Sequence, residues 1–570
     1  MKTTSLLFCL LLVFAAAFAR AAPPPWRMIY NSDLVNVIDC ESPFNPRGGT
    51  SVLTEAKLRA HVAEAAVPGM GAFLLAPGFG WVPLWQSRIC PPGEHAKWFA
   101  AHFQKQPANP VFDFVLNGGD IMGILIDEAR KNKLAAIAAY RVNDGHYLDL
   151  AFEPEKVTAR NVAYLSRFYT ENPRLRRSPL NKNDWHDRVH DWSKPEPRAY
   201  KEALVCELIE MYPALDGVEL DFQRHPHFFP GSLPMKKRVE IMVDFLKKIR
   251  AALDESSRKA GGAPRYLGVR VPLWPKLSDS SIRNGSWEET GFDPAAWAAA
   301  GVDWFNLASH YSLNQDMRGV ALARKAAPGT RLYAELTHSP GGWRFAADNP
   351  KGSRGVSTSG IIHRNSTKEL LETTARLACA RGADGISFFN FAFYRAYGTN
   401  RDTRGPFNEP PFDLMPALAE PQALEDAPLY YFKSLGDAGF ADGASRRNID
   451  LDLKPARGNP AAILRLLVLA PKEVSLPFNE GAPPPGEVDR GEWSVKLNGK
   501  NLPAVQTPMP AYPFPTPYKA GLNRAEQYLA FEIPAGAIKD GMNKIHIETL
   551  HLPSRLHVRH LEIIQHPAKP

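Results

Sequence analysis

The sequence predicts an α/β fold: a (β/α)8 TIM barrel followed by an antiparallel β-sandwich. Eight short apolar runs alternate with helical patterns up to about residue 436, which favours a parallel barrel. One run, 217–222, puts Glu219 and Asp221 on one face and its apolar residues on the other. Outward apolar residues suit a barrel whose strands are covered by helices. Beyond Gly436, short alternating segments separated by Pro/Gly-rich turns predict the sandwich.

The elements follow in chain order. The predicted barrel strands are 35–41, 71–77, 134–142, 217–222, 266–272, 302–309, 331–336 and 385–391. The clearest helical patterns between them are 53–66, 121–131, 200–211, 238–253 and 367–380. Because no glycine-rich dinucleotide fingerprint follows the first strand, a barrel is favoured over an open doubly wound sheet.

Three units are predicted along the 570 residues. Residues 1–22 have the pattern of a signal peptide, with Lys2, an apolar core over 6–18 and a small-x-small site at Ala19–Ala21. Residues 23–436 form the barrel and 437–570 the accessory sandwich. We expect a secreted or periplasmic protein with no membrane span, because no later segment is long and apolar enough.

Composition narrows the range of partners. A hydrophobic content of 44% with 22% charged residues is that of a soluble globular protein. The net charge of +8 suits either an anionic polysaccharide or simply a solvated surface. No RNA-binding or helix-turn-helix signature is present, so no nucleic-acid partner is expected. The cysteines lack a C-x-x-C pair, which leaves one disulfide or free thiols as the alternatives.

Polar residues at the predicted strand ends indicate a site at the barrel mouth. The strongest pairing joins a carboxylate of the fourth strand, Asp221 or Glu219, with Glu335 on the seventh. Cleavage of a glycosidic bond uses such a pair, one to donate a proton and one to attack or activate water. The predicted substrate-binding residues are Glu41, Trp81, Asn143, His146, Arg224, His225, Arg270, Trp274, His310, Tyr311, His338 and Asn390.

Plain structural roles are the alternatives for these residues. Glu219 could be a buried acid paired with Arg270, and Asp216 is expected in the turn before the strand. The tryptophans of the predicted rim loops can stack on sugars, yet a single one more often packs within its loop.

The segment D-G-V-E-L-D-F-Q-R-H-P at 216–226 resembles the glycoside hydrolase-like barrel proteins, family-10-like members of the retaining clan. The resemblance covers about 35–436 and includes the glutamate on strand seven and the trailing sandwich. It implies an exported glycoside hydrolase without a cofactor, with Asp221 or Glu219 as acid/base, Glu335 as nucleophile, and Tyr311 and Arg270 in support. The clan typically carries Asn-Glu where this chain has Glu-Leu-Asp, so the acid/base and retention stay open.

Two other functions remain as alternatives. One is a non-catalytic carbohydrate-binding barrel, which the departure at strand four would suit. The other is a metal-dependent polysaccharide deacetylase that uses Asp184, His186 and His190. The H-D-R-V-H spacing lacks the glutamate of zinc proteases, so no metal site is expected.

Overall fold

The computed structural model describes residues 23–46, 52–177, 188–276, 285–309, 313, 315–338, 342–344, 361–363, 366–395, 409–434, 446–469, 493–505, 527–549 and 557–568. The predicted signal peptide and two predicted site residues, His310 and Tyr311, lie outside these ranges.

Eight parallel strands close into a barrel, as predicted. They are β1 (Met28–Asp33), β2 (Met70–Ala76), β3 (Ala135–Arg141), β4 (Gly217–Asp221), β5 (Tyr266–Pro272), β6 (Trp304–Ala308), β7 (Arg331–Thr337) and β8 (Gly385–Phe389). Neighbours in sequence pair in order, and β1 pairs with both β2 and β8 to close the ring. The predicted TIM barrel is therefore confirmed, and with it the common edge where all strand ends meet.

The predicted first strand, 35–41, is wrong. β1 is Met28–Asp33, and Asn36–Asp39 forms a short helix after it. The segment looked like a strand because Val35 and Val37 alternate with polar residues. All six residues of β1 are buried, because its inward polar groups are enclosed by other strand ends rather than by solvent.

Helices cover the outside of the barrel. They are α1 (Asn36–Asp39), α2 (Glu55–Glu64), α3 (Pro92–Phe103), α4 (Pro110–Leu116), α5 (Ile121–Lys131), α6 (Arg167–Glu171), α7 (Pro195–Met211), α8 (Met235–Lys259), α9 (Trp287–Thr290), α10 (Pro294–Ala299), α11 (Arg318–Ala326), α12 (Lys368–Ala380) and α13 (Met415–Leu418). Several begin at side-chain caps, such as Thr54, Asp120 and Thr367, which accept bonds from backbone N–H groups of the first turn. Their apolar faces pack on the outward residues of the strands and form the main core.

The barrel interior changes from apolar to polar toward the mouth. Its lower layer is a separate apolar cluster that includes Ile29, Trp304 and Tyr333, and Trp26 packs against it. Position 268 needs a glycine, because a Cβ added there would lie 1.8 Å from the Trp304 indole ring. Above this layer the inward side chains are mostly amides, carboxylates and guanidiniums.

The C-terminal region consists of two antiparallel sheets, as predicted for a sandwich. Its strands are β9 (Leu429–Ser434), β10 (Arg446–Leu453), β11 (Ala462–Leu469), β12 (Trp493–Leu497), β13 (Lys500–Asn501), β14 (Ala504–Val505), β15 (Gln527–Ile533), β16 (Gly541–Thr549) and β17 (His557–Gln565). The sheet orders are β9-β17-β11-β15-β14 and β10-β16-β12-β13. The hairpin expected at Asn498-Gly499 is confirmed, since both residues have positive φ, 51° and 86°.

The sandwich is joined to the barrel by polar contacts. β9 lies before the predicted boundary at 436 and packs against α12. Arg381, which follows α12, binds Asp452 at 2.7 Å, and the Gln315 amide donates to Tyr430 O at 2.9 Å. The four described cysteines are free thiols. Among the described helices, none combines the length and apolar character of a membrane span.

Candidate active site

Asp221, the last residue of β4, lies at the mouth of the barrel with its carboxylate fully engaged. Its Oδ1 accepts from the backbone N–H groups of Gln223, at 2.9 Å, and Arg224, at 3.1 Å. Its Oδ2 accepts from Arg270 Nη1 at 3.0 Å. Three donors, one of them cationic, hold the Asp221 carboxyl group in one orientation.

Arg270 of β5 connects Asp221 to Glu335 of β7. It donates from Nε to Glu335 Oε2 at 2.6 Å and from Nη2 to Oε1 at 2.7 Å, a bidentate pair. Its guanidinium lies 3.9 Å from the Phe389 ring centroid. Burial raises the pKa of Glu335, and the Arg270 guanidinium opposes that rise. The structure thus brings together the two carboxylates expected from the strand ends, with one guanidinium between them.

Glu219 lies deeper in the barrel than Asp221. It accepts hydrogen bonds from Asn31 at 2.7 Å, Trp304 at 3.1 Å and Asn306 at 3.3 Å. The described hydrogen bonds of Arg270 go to Asp221 and Glu335, and its guanidinium acts on Glu219 only through its charge among the described contacts. Burial raises the pKa of Glu219 to about 8, so this carboxyl is protonated at neutral pH. The Glu219 side chain is fully buried, two positions before Asp221 on β4.

A second set of ionic contacts, here called the mouth network, comprises Asp33, Arg141, Asp144, Arg224 and Asn390. Asp33 ends β1 and pairs with Arg141; it also accepts from Arg224 Nη2 at 2.9 Å and Asn390 Nδ2 at 2.7 Å. Arg141 donates onward to Asp144 at 2.7 Å. Burial alone would raise the pKa of Asp33, but the two guanidiniums hold it well below its usual range.

Asp33 is a site residue that the strand pattern did not predict. Only Met28–Tyr30 of its strand is apolar, and the polar residues Asn31, Ser32 and Asp33 weaken the strand signal. Glu41, which was expected at that strand end, instead follows α1 and is half-buried.

Asp144 also binds two histidines predicted to be in the site. Its Oδ1 accepts from His146 Nδ1 at 2.6 Å and from the His146 backbone N at 2.7 Å. His225 Nδ1 lies 3.7 Å from the same oxygen and accepts from Gly145 N at 2.9 Å. His225 has φ 55°, a strained value for a non-glycine residue. The His146 side chain is 26% exposed, whereas Asp144 and His225 are buried.

These three residues are also the described group with spacing for a metal ion. Their ligating atoms lie within 4.8 Å of one another. Two of their polar atoms already take part in hydrogen bonds, Asp144 Oδ1 with His146 and His225 Nδ1 with Gly145. Arg141 binds the other oxygen of Asp144, which adds a positive charge beside any cation. The arrangement fits a hydrogen-bonded cluster better than a metal centre.

Trp81 and Trp274, expected to stack on sugars, are buried in their loops. Trp81 packs between aromatic rings, with Lys201 Nζ 3.6 Å from its ring centroid, and donates to Asp144 O at 2.6 Å. His190 contacts Trp81 at 4.4 Å between ring centroids, and its Nδ1 lies 3.2 Å from Leu175 O. Burial lowers the pKa of His190 to about 3. Asp184 and His186, the other two proposed deacetylase ligands, lie outside the described residues.

The other predicted site residues have varied positions. Asn390 belongs to the mouth network, where its φ of 52° follows the end of β8. Asn143 is buried beside the same network and donates to His227 O at 3.4 Å. His338, one residue beyond β7, is buried against Phe393 and Tyr394.

A small cavity opens beside the mouth network. It has a volume of about 10 Å³ and is lined by Asp33, Arg141, Gly78, Phe79 and Tyr164, among other residues. That is space for about one water molecule.

No protein-family model and no curated protein sequence matches this chain. Similar solved structures include a class V chitinase from Pseudomonas fluorescens Pf-5, with 11% identity and TM-score 0.34, covering 69% of this chain and 99% of that one. The PgaB glycoside hydrolase domain of Bordetella bronchiseptica has 12% identity and TM-score 0.37, covering 65% and 95%. A family GH18 chitinase from Cycas revoluta has 14% identity and TM-score 0.35, covering 69% and 98%. The barrel of this chain is defined by its own closed strand order.

Proposed function

We propose that this protein is a glycoside hydrolase that cleaves a polysaccharide or oligosaccharide at the barrel mouth. One observation carries the proposal: Asp221 on β4 and Glu335 on β7 lie on either side of the Arg270 guanidinium. Two carboxylates across a barrel mouth can flank a glycosidic bond. Arg270 fixes both of them, which keeps the reacting groups in one geometry.

Charge at the described floor of the mouth supports a role in stabilising positive charge. It contains the guanidiniums of Arg141, Arg224 and Arg270 and the carboxylates of Asp33, Asp144, Asp221 and Glu335. A carboxylate beside the anomeric carbon suits an oxocarbenium-like transition state.

The experiment is a screen of neutral and sulfated polysaccharides, read by released reducing ends. Asp221→Asn and Glu335→Gln should each abolish release, because each removes a charge without changing side-chain size. Glu240→Gln is the matched control, since Glu240 pairs only with Lys237 on the exposed face of α8 among the described contacts. Absence of hydrolysis by the wild type on every glycan would contradict the proposal.

A second candidate is a carbohydrate-binding protein without catalysis. It is favoured because both carboxylates, Asp221 and Glu335, are already bound by Arg270. Ion-pair networks with a purely structural role also occur at the ends of barrel strands. Glycan binding without any release of reducing ends would support this candidate. The deacetylase alternative is weakened because His190 faces Leu175 O and Trp81; zinc bound in equimolar amount would revive it.

Export is also a proposal. Its support is the signal-like pattern of residues 1–22, with Lys2 before the apolar core. Expression of the full chain in a bacterial host, followed by N-terminal sequencing of the exported fraction, tests it. Cleavage after Ala21 is expected, and retention of the uncleaved chain in the cytoplasm would contradict it.

A further inference from the structure

A cavity lies where the barrel meets the sandwich, at the end of the barrel opposite the mouth. Arg376 and Cys379 line this junction cavity from the last turns of α12, which lead into the start of β8. Lys454 and Arg457 line it from the segment that follows β10. Its volume is about 370 Å³, within the range of ligand pockets, and pockets between domains are common binding sites.

The lining of the junction cavity is mainly basic. It has three cationic side chains, Arg376, Lys454 and Arg457, and one carboxylate, Glu425. The Lys454 ammonium has no ion pair or hydrogen bond among the described contacts. Arg457 pairs with Asp426 at 2.8 Å, and the two side chains are 46% and 70% exposed. An exposed pair of this kind contributes at most about 1 kcal/mol, so Arg457 can exchange it for another anion.

Arg376 is buried without a bound carboxylate among its described contacts. Its Nη1 donates to Ala427 O at 2.8 Å and its Nη2 to Glu425 O at 3.1 Å, both neutral carbonyl groups. Glu425, Glu372 and Asp426 act on Arg376 through their charge alone. Buried cations in proteins are usually paired with an anion. Burial lowers the pKa of Arg376, and an anion in the cavity would oppose that effect.

The backbone around these cations is held in place without a ligand. The Lys454 N–H donates to the Tyr431 hydroxyl at 2.9 Å, and that hydroxyl donates to Lys454 O at 2.6 Å. Tyr431 is itself buried in β9. The two hydrogen bonds from Arg376 fix the loop that carries Glu425. A preformed arrangement of this kind lowers the ordering cost of binding.

We propose that the junction cavity binds a sugar acid. Lys454 and Arg457 would hold its carboxylate, because ammonium and guanidinium groups form the strongest hydrogen bonds to such oxyanions, and Arg376 adds its charge from the cavity wall. The Gln422 amide can donate to and accept from sugar hydroxyls, and the Glu425 carboxylate can accept from them. The inference goes beyond the proposed hydrolysis and does not depend on it, since Asp221 and Glu335 lie at the other end of the barrel.

The free thiol of Cys379 reports on the charge of the cavity that it lines. Iodoacetate carries a carboxylate and iodoacetamide is its neutral analogue, and both alkylate the thiolate. The ratio of their rates therefore reports the attraction of an anion and not the thiolate fraction. Mass spectrometry of the alkylated peptides should give a ratio several-fold higher at Cys379 than at Cys206, a half-buried free thiol of α7. Equal ratios at the two cysteines would overturn the inference.

Variants assign that attraction to the cavity. Arg27 and Lys454 both act on Cys379 through their charge, whereas only Lys454 lines the cavity. Lys454→Met should therefore lower the iodoacetate ratio at Cys379 toward that of Cys206. Lys500→Met is the matched control, since Lys500 is exposed on β13 and should leave the ratio unchanged. An unchanged ratio in Lys454→Met would overturn the inference.

Binding of the ligand class is measured by saturation-transfer NMR on the full chain with glucuronate, and with glucose as its uncharged counterpart. Glucuronate should bind and slow the alkylation of Cys379 by iodoacetamide, and glucose should do neither. Lys454→Met and Arg457→Met should each weaken glucuronate binding by roughly 10-fold or more. Asp221→Asn, at the mouth, should not change it.

Three outcomes would overturn the inference. One is equal binding of glucose and glucuronate, and another is glucuronate binding that is lost in Asp221→Asn but kept in Lys454→Met. The third is protection of Cys379 by inorganic sulfate but not by glucuronate, which would mean a site for a small inorganic anion. Displacement of bound glucuronate by sulfate would support the inference, because both ligands present an oxyanion to the same cations. A wild type that cleaves no glycan contradicts the proposed function and leaves these measurements unaffected.

Discussion

Arg270 and Glu335 form a bidentate ion pair, with N–O distances of 2.6 and 2.7 Å, where β5 and β7 reach the barrel mouth. Both side chains are fully buried, and Arg270 also binds Asp221 at 3.0 Å. A buried guanidinium that serves two carboxylates fixes them relative to each other. Its loss would leave two negative charges unpaired in the interior.

The first prediction concerns this pair. Arg270→Met should lower the free energy of unfolding by about 3–5 kcal/mol, because it leaves buried charges without a partner. Adding Glu335→Met should recover part of the loss, since one of those charges is removed. Urea denaturation of the single and double variants measures both effects. An Arg270→Met protein as stable as the wild type would show that the ion pair does not hold the site.

The second prediction concerns Glu219. The pKa of Glu219 is raised to about 8 in the folded protein, mainly by burial. The stability that protonated Glu219 gives to the folded protein is therefore fully present below the unfolded pKa of about 4.3. It is lost as the pH rises through the folded pKa of about 8. Over that window, stability should fall by up to about 1.4 kcal/mol per pH unit from this group.

Glu219→Gln should remove that slope, because the glutamine does not titrate. Urea denaturation at several pH values between about 5 and 8 measures it. The exposed control Glu240→Gln should keep the slope of the wild type. Parallel curves for the wild type and Glu219→Gln would mean that Glu219 is ionised in the fold.

The third prediction concerns Asp33. The guanidiniums of Arg141 and Arg224 depress its pKa, against the effect of burial. The resulting stability is present above the unfolded pKa of about 3.9 and is lost as the pH falls toward the folded value. Asp33→Asn should therefore be destabilised by about 2–4 kcal/mol at neutral pH, with a smaller deficit near pH 3. Chemical denaturation at the two pH values tests this, and a constant deficit would be inconsistent with it.

The fourth prediction concerns the lower layer of the barrel. Gly268→Ala should lower the free energy of unfolding by about 1–3 kcal/mol or more, because its methyl group would overlap the Trp304 ring. Trp304→Phe in the same chain should relieve part of the overlap. Thermal denaturation of the single and double variants checks it. If Gly268→Ala unfolds at the wild-type temperature, the Trp304 ring does not lie over Gly268.

The barrel could be predicted because its signals are local. Seven of the eight strands fall within about two residues of the predicted ranges, since each is an apolar run next to a turn. The pairing of Asp221 with Glu335 follows from strand ends that meet at one edge. The position of β1 could not be predicted, because Met28–Asp33 ends in inward polar residues. Their burial depends on side chains from distant strands.

The depth of each carboxylate in the barrel and its hydrogen-bond partners could not be predicted from the sequence. Strand alternation places Glu219 and Asp221 on the same face. They are two positions apart, which is about 6.6 Å along the strand. That distance puts Glu219 among amides and the Trp304 indole, and Asp221 at the mouth beside Arg270. The burial of Trp81 could not be predicted either, because the sequence of a loop does not indicate in which direction its tryptophan packs.

The measurement that tests the central claim most directly is the release of reducing ends from the glycan panel by wild type, Asp221→Asn and Glu335→Gln at equal folded concentration. We expect hydrolysis of at least one glycan by the wild type and a loss of roughly 1,000-fold or more in each variant, since each lacks one reacting carboxylate. Full activity in either variant, or no hydrolysis by the wild type, would contradict a glycosidase that works through this pair.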